Sequence, residues 1–244
     1  MLFNADKCKV MHIGYHNPGY RYTMGGHAPA GVLLANTDVE KDLGVLVHSS
    51  LKPHEQCAAA AKKANMVLGR MARSLTYRDK TWIKLYRIFV RPHLEYCIQA
   101  WAPWTLSDIE VLESVQKRAI RMTSGLKGHT YEDKLKEVGL LSLADRRVRG
   151  DLIETWRILN ESTHWPDCSI LTKAADHSLR VTRGTTSDAL VKDKSTKDVR
   201  VNFFANRIVS PWNALPASVR CASSLNSFKA AYDKEINRFA PTLS

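Results

Sequence analysis

Apolar residues recur at every second position near the start of the chain and at every third or fourth position from about residue 52 onward. The first spacing is that of a strand with one covered face, the second that of a helix with an apolar stripe. Cys8-Lys9-Val10-Met11-His12-Ile13 alternates and stops at Gly14, and Asn17-Pro18-Gly19 is turn chemistry leading to a second short run, Tyr20 to Met24, so a hairpin is expected there. A third run, Leu43-Gly44-Val45-Leu46-Val47, lies between Glu40-Lys41-Asp42 and Ser49-Ser50 and reads as a third strand. Three strands bury little, so this small sheet needs a partner.

Cys57, Ala61, Ala64, Leu68, Met71 and Leu75 then fall on one helical face. Trp82, Leu85, Phe89 and Ile98 begin a second face that Pro92 interrupts, and a bend or break is expected at that proline. A third helix is punctuated by Ser107 as cap and Glu110 three residues on, turns Ile109, Leu112, Ala119 and Thr123 inward, and is closed by Gly125. A short helix from Tyr131 to Val138 and a longer one from Leu143 to Leu159 follow, the latter opened by Ser142 and Asp145. Residues 160–198, rich in Ser, Thr, Asp and Lys, read as a long mobile connection. Order is expected again over Val199 to Leu215, and a last helix from about Ser224 aligns Leu225, Phe228, Tyr232 and Ile236. The fold class is therefore α+β, mostly α: a small antiparallel sheet at the N-terminus, then a helical bundle and a helical tail.

Composition narrows the class of partner. With 244 residues, 44% of them hydrophobic, the chain can bury a real core. A formal net charge of +12 gives a surface field that attracts polyanions, nucleic acid before an acidic membrane face. Cys8, Cys57, Cys97, Cys168 and Cys221 are odd in number and never form a C-x-x-C pair, as expected of a reducing, intracellular compartment, nucleus or cytoplasm, rather than a secreted protein. No apolar run approaches a membrane span, and no membrane partner is expected.

The charge is concentrated on the helices. Lys80, Lys84, Arg87 and Arg91 fall at spacings of four, three and four and would form one basic stripe, flanked by Lys62, Lys63, Arg70 and Arg73 on the preceding helix and by Lys117, Arg118 and Arg121 on the next. Such a stripe can track phosphates without reading sequence, or be an ordinary solvated helix face. Tyr77, Trp82, Tyr86, Trp101 and Trp104 interleave with these bases. Aromatics at helical spacing are more often core than stacking platforms, while Trp101 and Trp104 flank Pro103 in an expected loop. Arg146, Arg147 and Arg149 make a second basic cluster that suits a helix flank. His93 and Cys97 share a helix face but lack the two further ligands of a zinc site. Neither a Gly-x-Ser-x-Gly elbow nor a phosphate loop ending in Gly-Lys-Ser or Gly-Lys-Thr occurs.

Several strings, in order, resemble reverse transcriptases of LINE-type (non-LTR, Jockey-like) retrotransposons. Phe3-Asn4-Ala5-Asp6-Lys7-Cys8-Lys9-Val10-Met11-His12-Ile13-Gly14 is similar to the segment following the catalytic palm hairpin, and Glu40-Lys41-Asp42-Leu43-Gly44-Val45 to the next strand. Leu85-Tyr86, Val90-Arg91-Pro92-His93-Leu94-Glu95-Tyr96-Cys97, Trp101 and Leu112-Glu113 with Val115-Gln116-Lys117-Arg118-Ala119 resemble the thumb helices. Arg146-Arg147, Arg149-Gly150-Asp151-Leu152-Ile153, Trp212-Asn213, Leu215-Pro216 and Ser224-Leu225-Asn226 with Phe228-Lys229 are similar to the tail. The resemblance implies a palm remnant at 1–50, a thumb-like domain at 51–127 and a basic helical region at 128–244. It also implies a non-specific grip on an RNA–DNA hybrid or duplex.

In that family polymerisation uses magnesium ions held by palm aspartates, including an aromatic-x-Asp-Asp hairpin. No Asp-Asp dipeptide occurs in the chain, and the segment bearing those carboxylates is expected upstream of it. Tyr131-Glu132-Asp133 looks superficially similar to the hairpin, but Thr130 and Asp133 suit a helix cap better. The expectation is a chain without catalytic residues, metal ligands or a cofactor of its own, which binds nucleic acid. The rival readings are an active enzyme whose missing carboxylates are supplied in trans or by a longer product, a helical module that binds another protein through uncovered apolar faces, and a decaying remnant.

Overall fold

The computed structural model of the chain describes residues 4, 7–14, 16–25, 31–126, 128–161, 170–174 and 188–239, the side chains of Lys80 and of residues 237–239 excepted. In chain order its elements are β1 (Lys9–Val10), β2 (Thr23–Met24), β3 (Val32–Leu33), β4 (Ala35–Asn36), β5 (Val39–Asp42) and β6 (Val45–His48). There follow α1 (His54–Ser74), α2 (Lys80–Leu85), a π-helical turn (Tyr86–Val90), α3 (Arg91–Glu95), α4 (Ile98–Trp101), α5 (Leu106–Arg121), α6 (Tyr131–Glu137) and α7 (Leu143–Asn160). The last are β7 (Thr172–Lys173), β8 (Leu190–Val191), α8 (Asp198–Val201), α9 (Phe204–Arg207), α10 (Val209–Asn213), α11 (Ala217–Arg220) and α12 (Leu225–Phe239). The class is α+β and mostly helical, with small, largely antiparallel sheets.

Two compact units divide the chain: Met1–Cys97 with Pro103–Lys134, and Ile98–Ala102 with Leu135–Ser244. The stretches 1–50 and 51–127 fall in the first unit except for Ile98–Ala102, and 128–244 begins in the first and continues in the second.

In the first unit the strands pair differently from the sequence expectation. β1 runs parallel to β4, and β2 antiparallel to β3, so the two runs flanking Asn17-Pro18-Gly19 do not pair with each other. The turn chemistry there is real: the Asn17 side chain accepts from the Gly19 amide at 3.0 Å, and Gly19 has φ +67°. It reverses the chain without aligning two strands. The run Leu43–Val47 is likewise not one strand. Leu43 (φ +44°) and Gly44 (φ +90°) are the turn that joins β5 to β6 in the register Val39↔His48 to Asp42↔Val45. Two consecutive positive φ values are the hairpin turn whose twist matches its strands, and they interrupt what composition presents as a continuous apolar run. The Leu46 amide donates to the Gln56 side chain at 2.9 Å, tying this hairpin to α1.

The first face is as expected at its centre: Cys57, Ala60, Ala61, Ala64 and Leu68 are buried, and the small alanines let α1 pack closely on α3 and α5. The second face needs correction. Trp82, Tyr86, Val90 and Leu94 are the buried stripe, whereas Phe89 is 52% exposed and Ile98 begins α4 in the second unit. Residues four apart drift about 40° per step around a regular helix. The π turn widens the helix, absorbs that drift and keeps all four on one side. It also places the irregularity just before Pro92: the Arg91 amide bonds back five residues to the Tyr86 carbonyl, and the chain remains helical through the proline to Glu95.

The third helix starts earlier than expected. Thr105, not Ser107, is its cap, accepting from the Asp108 amide at 3.2 Å, and its hydroxyl donates to the Asp108 carboxylate at 2.7 Å, so Asp108 rather than Glu110 is the acidic partner of the cap. In α6 the cap is Thr130 with Asp133, as the sequence suggested. Ser142 caps α7 through the Asp145 amide at 3.0 Å.

In the second unit, Leu152 and Trp156 of α7 form a core with Phe204, Ile208, Trp212 and Phe228. Phe228 lies 6.0 Å from the Trp212 ring and 6.2 Å from Trp156. Of the expected mobile connection, residues 162–169 and 175–187 lie outside the described residues, but β7 pairs antiparallel with β8, and Leu171 and Leu190 are buried in this core. Asn213 serves β8 as a strand would: its side chain accepts from the Leu190 amide and donates to the Leu190 carbonyl, both at 2.9 Å.

Candidate nucleic-acid interface

All eleven basic candidates belong to the first unit, on α1, the helical stretch from α2 through α3, and α5. On α1, Lys62, Lys63, Arg70 and Arg73 are exposed because the opposite side carries the alanine face. Across the α1–α5 packing, Arg118 donates to the Asn65 side chain at 3.1 Å, which brings the basic edge of α5 beside α1. Arg121 is exposed in the last turn of α5.

The α2–α3 stripe is less uniform than its spacing. Lys84 is exposed, and the Lys80 side chain lies outside the described residues. Arg87 and Arg91 are half-buried, and Arg91 faces Glu95 at 3.8 Å. Arg87 lies within the π turn and Arg91 directly follows it. Lys117 is also partly neutralised: it meets Glu110 at 2.9 Å and lies 5.4 Å from the Tyr131 ring. The exposed cations are thus those of α1 and of the C-terminal half of α5, together with Lys84.

The aromatics divide by burial. Trp82, Tyr86 and Trp101 are buried, Trp104 is half-buried and Tyr77 is 88% exposed. Trp82 donates to the Ala119 carbonyl at 2.9 Å, and Tyr86 to the Gln116 side chain at 2.9 Å, so both are framework. Gln116 donates to the Tyr131 hydroxyl at 3.1 Å, and Tyr131 donates in turn to Glu113. Burial pushes both tyrosine hydroxyls up, so they stay protonated donors. The Lys117 cluster stands on this rigid polar network rather than on a loop.

Two residues that sequence spacing did not single out sit beside the candidates. The Arg78 guanidinium lies 5.6 Å from the Trp82 ring and donates to the Ala72 carbonyl at 3.1 Å, and Lys134 stands at the end of the first unit. Neither belongs to a helical basic repeat; Arg78 had as its only signal its place just before the Asp79 cap of α2.

Arg146, Arg147 and Arg149 do not form a surface cluster. Arg147 is buried, and Arg149 makes a two-pronged pair with Asp233 at 2.6 and 2.7 Å. Among the described residues no group of three or more His, Cys, Asp or Glu side chains could hold a metal ion. Burial and the nearby Lys63 charge hold His93 below its ordinary pKa. Cys8, Cys57, Cys97 and Cys221 are free thiols, and Cys168 lies outside the described residues. No described helix is long and apolar enough to cross a membrane.

Among curated proteins, the chain is similar to an uncharacterized protein of Caenorhabditis elegans, 24% identical over 134 residues that cover 53% of this chain and 68% of the other. No protein-family model matches the chain. No solved structure matches it either.

Proposed function

We propose that the chain is part of a LINE-type reverse transcriptase that lacks the catalytic aspartates and holds template-primer nucleic acid without reading its sequence. The observation that carries this reading is the set of exposed lysines and arginines on α1 and α5, brought side by side by the Arg118–Asn65 contact at 3.1 Å. Phosphates recur along both strands of a hybrid, and a broad cationic face meets several of them whatever the bases. The order of the family-like strings supports the same reading. So does the structure beneath them: Glu40-Lys41-Asp42-Leu43-Gly44-Val45 and Tyr96 meet, the Tyr96 hydroxyl donating to the Leu43 carbonyl at 2.9 Å.

Titration of the purified chain with a labelled RNA–DNA hybrid tests the reading. The expected result is binding whose log affinity falls linearly with log salt, and replacing four exposed cations, Lys62, Lys63, Arg70 and Arg73, by alanine should lower the slope by roughly 3. Binding that is absent at low salt or indifferent to salt overturns it. Primer extension with magnesium should yield no product, and incorporation by the purified chain would overturn the loss of catalysis.

A protein-binding reading has one observation in its favour. Ile88 and Phe89, adjacent on the π turn, are 61% and 52% exposed. Concentration-independent monomer in light scattering would count against that face as a self-association site.

A further inference from the structure

At the C-terminal end of α5, within the first unit, a cleft of about 500 Å³ is lined by Arg78, Arg121 and Lys134 and by the turn 122–126. No carboxylate belongs to its described lining. Arg121 and Lys134 have no carboxylate partner among the described residues, in contrast to Lys117 with Glu110 and Arg91 with Glu95.

Arg78 is held in place. Its Nη2 donates to the Ala72 carbonyl at 3.1 Å, its own carbonyl accepts from the Ser124 amide at 2.7 Å, and its plane lies 5.6 Å from the Trp82 ring. Its Nε is nevertheless buried without a hydrogen-bond partner. Gly125 (φ +86°) and Gly128 (φ +84°) leave the turn open, with nothing within 4 Å of where a Cβ would stand.

Cations at a helix C-terminus offset the helix dipole, which is the plainer account of Arg118 and Arg121. That dipole amounts to only about half a negative charge, less than the three full positive charges that line the cleft. We infer that the cleft seats a phosphate group of a nucleic-acid strand, gripped by Arg78, Arg121 and Lys134. A phosphate offers several oxygens at once, so it can accept from the guanidinium forks while meeting the lysine as a point charge. A carboxylate fills one fork and leaves the other charges unanswered. This inference rests on the nucleic-acid reading above for the source of the phosphate, while the cleft itself is testable with pyrophosphate alone.

The test uses the full chain, an Arg121→Ala/Lys134→Ala variant, and a charge-matched Lys194→Ala/Lys234→Ala control in the second unit, with folding checked by circular dichroism. Arg78 is left intact because it braces Trp82. Against a labelled RNA–DNA hybrid, the cleft variant should bind roughly 5–10-fold more weakly at moderate salt, with a salt slope smaller by about 1.5, and the control should change much less. Pyrophosphate should shift the Gly125 and Gly128 amide resonances of the unaltered chain and not those of the cleft variant.

Equal losses in the two variants, or no pyrophosphate shift, overturn the cleft. Hybrid binding that persists unchanged in the cleft variant overturns it too and leaves the broader nucleic-acid reading intact. A pyrophosphate shift without hybrid binding upholds the anion site, and overturns the strand as its source.

Discussion

His54 and Asp108 show how one buried group can set a local pH response. Asp108 is 3% exposed at the cap of α5; it takes a hydrogen bond from Thr105 at 2.7 Å and meets the His54 ring at 2.7 Å. Asp108 holds His54 above its ordinary pKa of 6.5, through the hydrogen bond first and its charge second. A histidine raised on folding stabilises fully below its unfolded pKa and loses that contribution as the pH rises through the folded one. The urea midpoint of the unaltered chain should therefore exceed that of His54→Asn most below the ordinary histidine pKa of about 6.5, the difference shrinking as the pH rises above it. A difference that stays constant with pH would show that the pair is not the cause. Arg207 sets a second residue-scale case. It grips Asp151 at 2.8 and 3.1 Å and donates to the carbonyls of Ile98, Gln99 and Asn202. Burial pushes the Asp151 carboxyl up, against the downward pull of that arginine. Arg207→Ala strands a buried carboxylate, so chemical denaturation should show a loss of about 3–5 kcal/mol at neutral pH. Without its partner Asp151 rises further, its ionised form becomes the costly one, and the deficit should narrow as the pH is lowered.

At the scale of elements, the hairpin β5–β6 is fastened by its turn. A Cβ on Gly44 would stand 3.3 Å from the Tyr96 ring, on a backbone with φ +90° that only glycine adopts freely. Gly44→Ala should therefore cost about 1–2 kcal/mol by thermal or urea unfolding. Tyr96→Phe, which removes only the donor to the Leu43 carbonyl, should cost about 0.5–1.5 kcal/mol. If Tyr96→Phe is neutral, the turn is not held by that bond. The same elements explain what the sequence could and could not disclose. The α1 face, the Ser142 and Thr130 caps and the α12 stripe were readable because each depends on residues within one or two turns. The β1–β4 and β2–β3 pairings were not, since strands of two residues carry no period and their partners are chosen by the rest of the fold. Phe89 and Leu85 were misplaced for a related reason: a π turn changes the helical count, and the spacing of Trp82, Tyr86, Val90 and Leu94 becomes meaningful only once that turn is known. Among the basic candidates, spacing located the exposed residues of α1 well. It could not foresee that Arg91 would meet Glu95 or that Arg78 and Lys134 would join Arg121 around one cleft.

At the scale of the whole molecule, the chain leaves the first unit after Cys97, contributes Ile98–Ala102 to the second, and returns at Pro103. The family-like string Arg149-Gly150-Asp151 has its use in that short visit. Gly150 faces the Ile98 side chain, where a Cβ would come within 3.0 Å, and Asp151 fixes the arginine that holds the carbonyls of Ile98 and Gln99. The visit has a consequence in time. During synthesis the Ile98 carbonyl emerges 109 residues before the Arg207 that will bind it. At ordinary elongation rates that is a wait of roughly 5–20 s, far longer than a helix needs to form. A ribosome stalled within that window would present a nascent chain whose first unit is interrupted by a five-residue tongue still waiting for its lock.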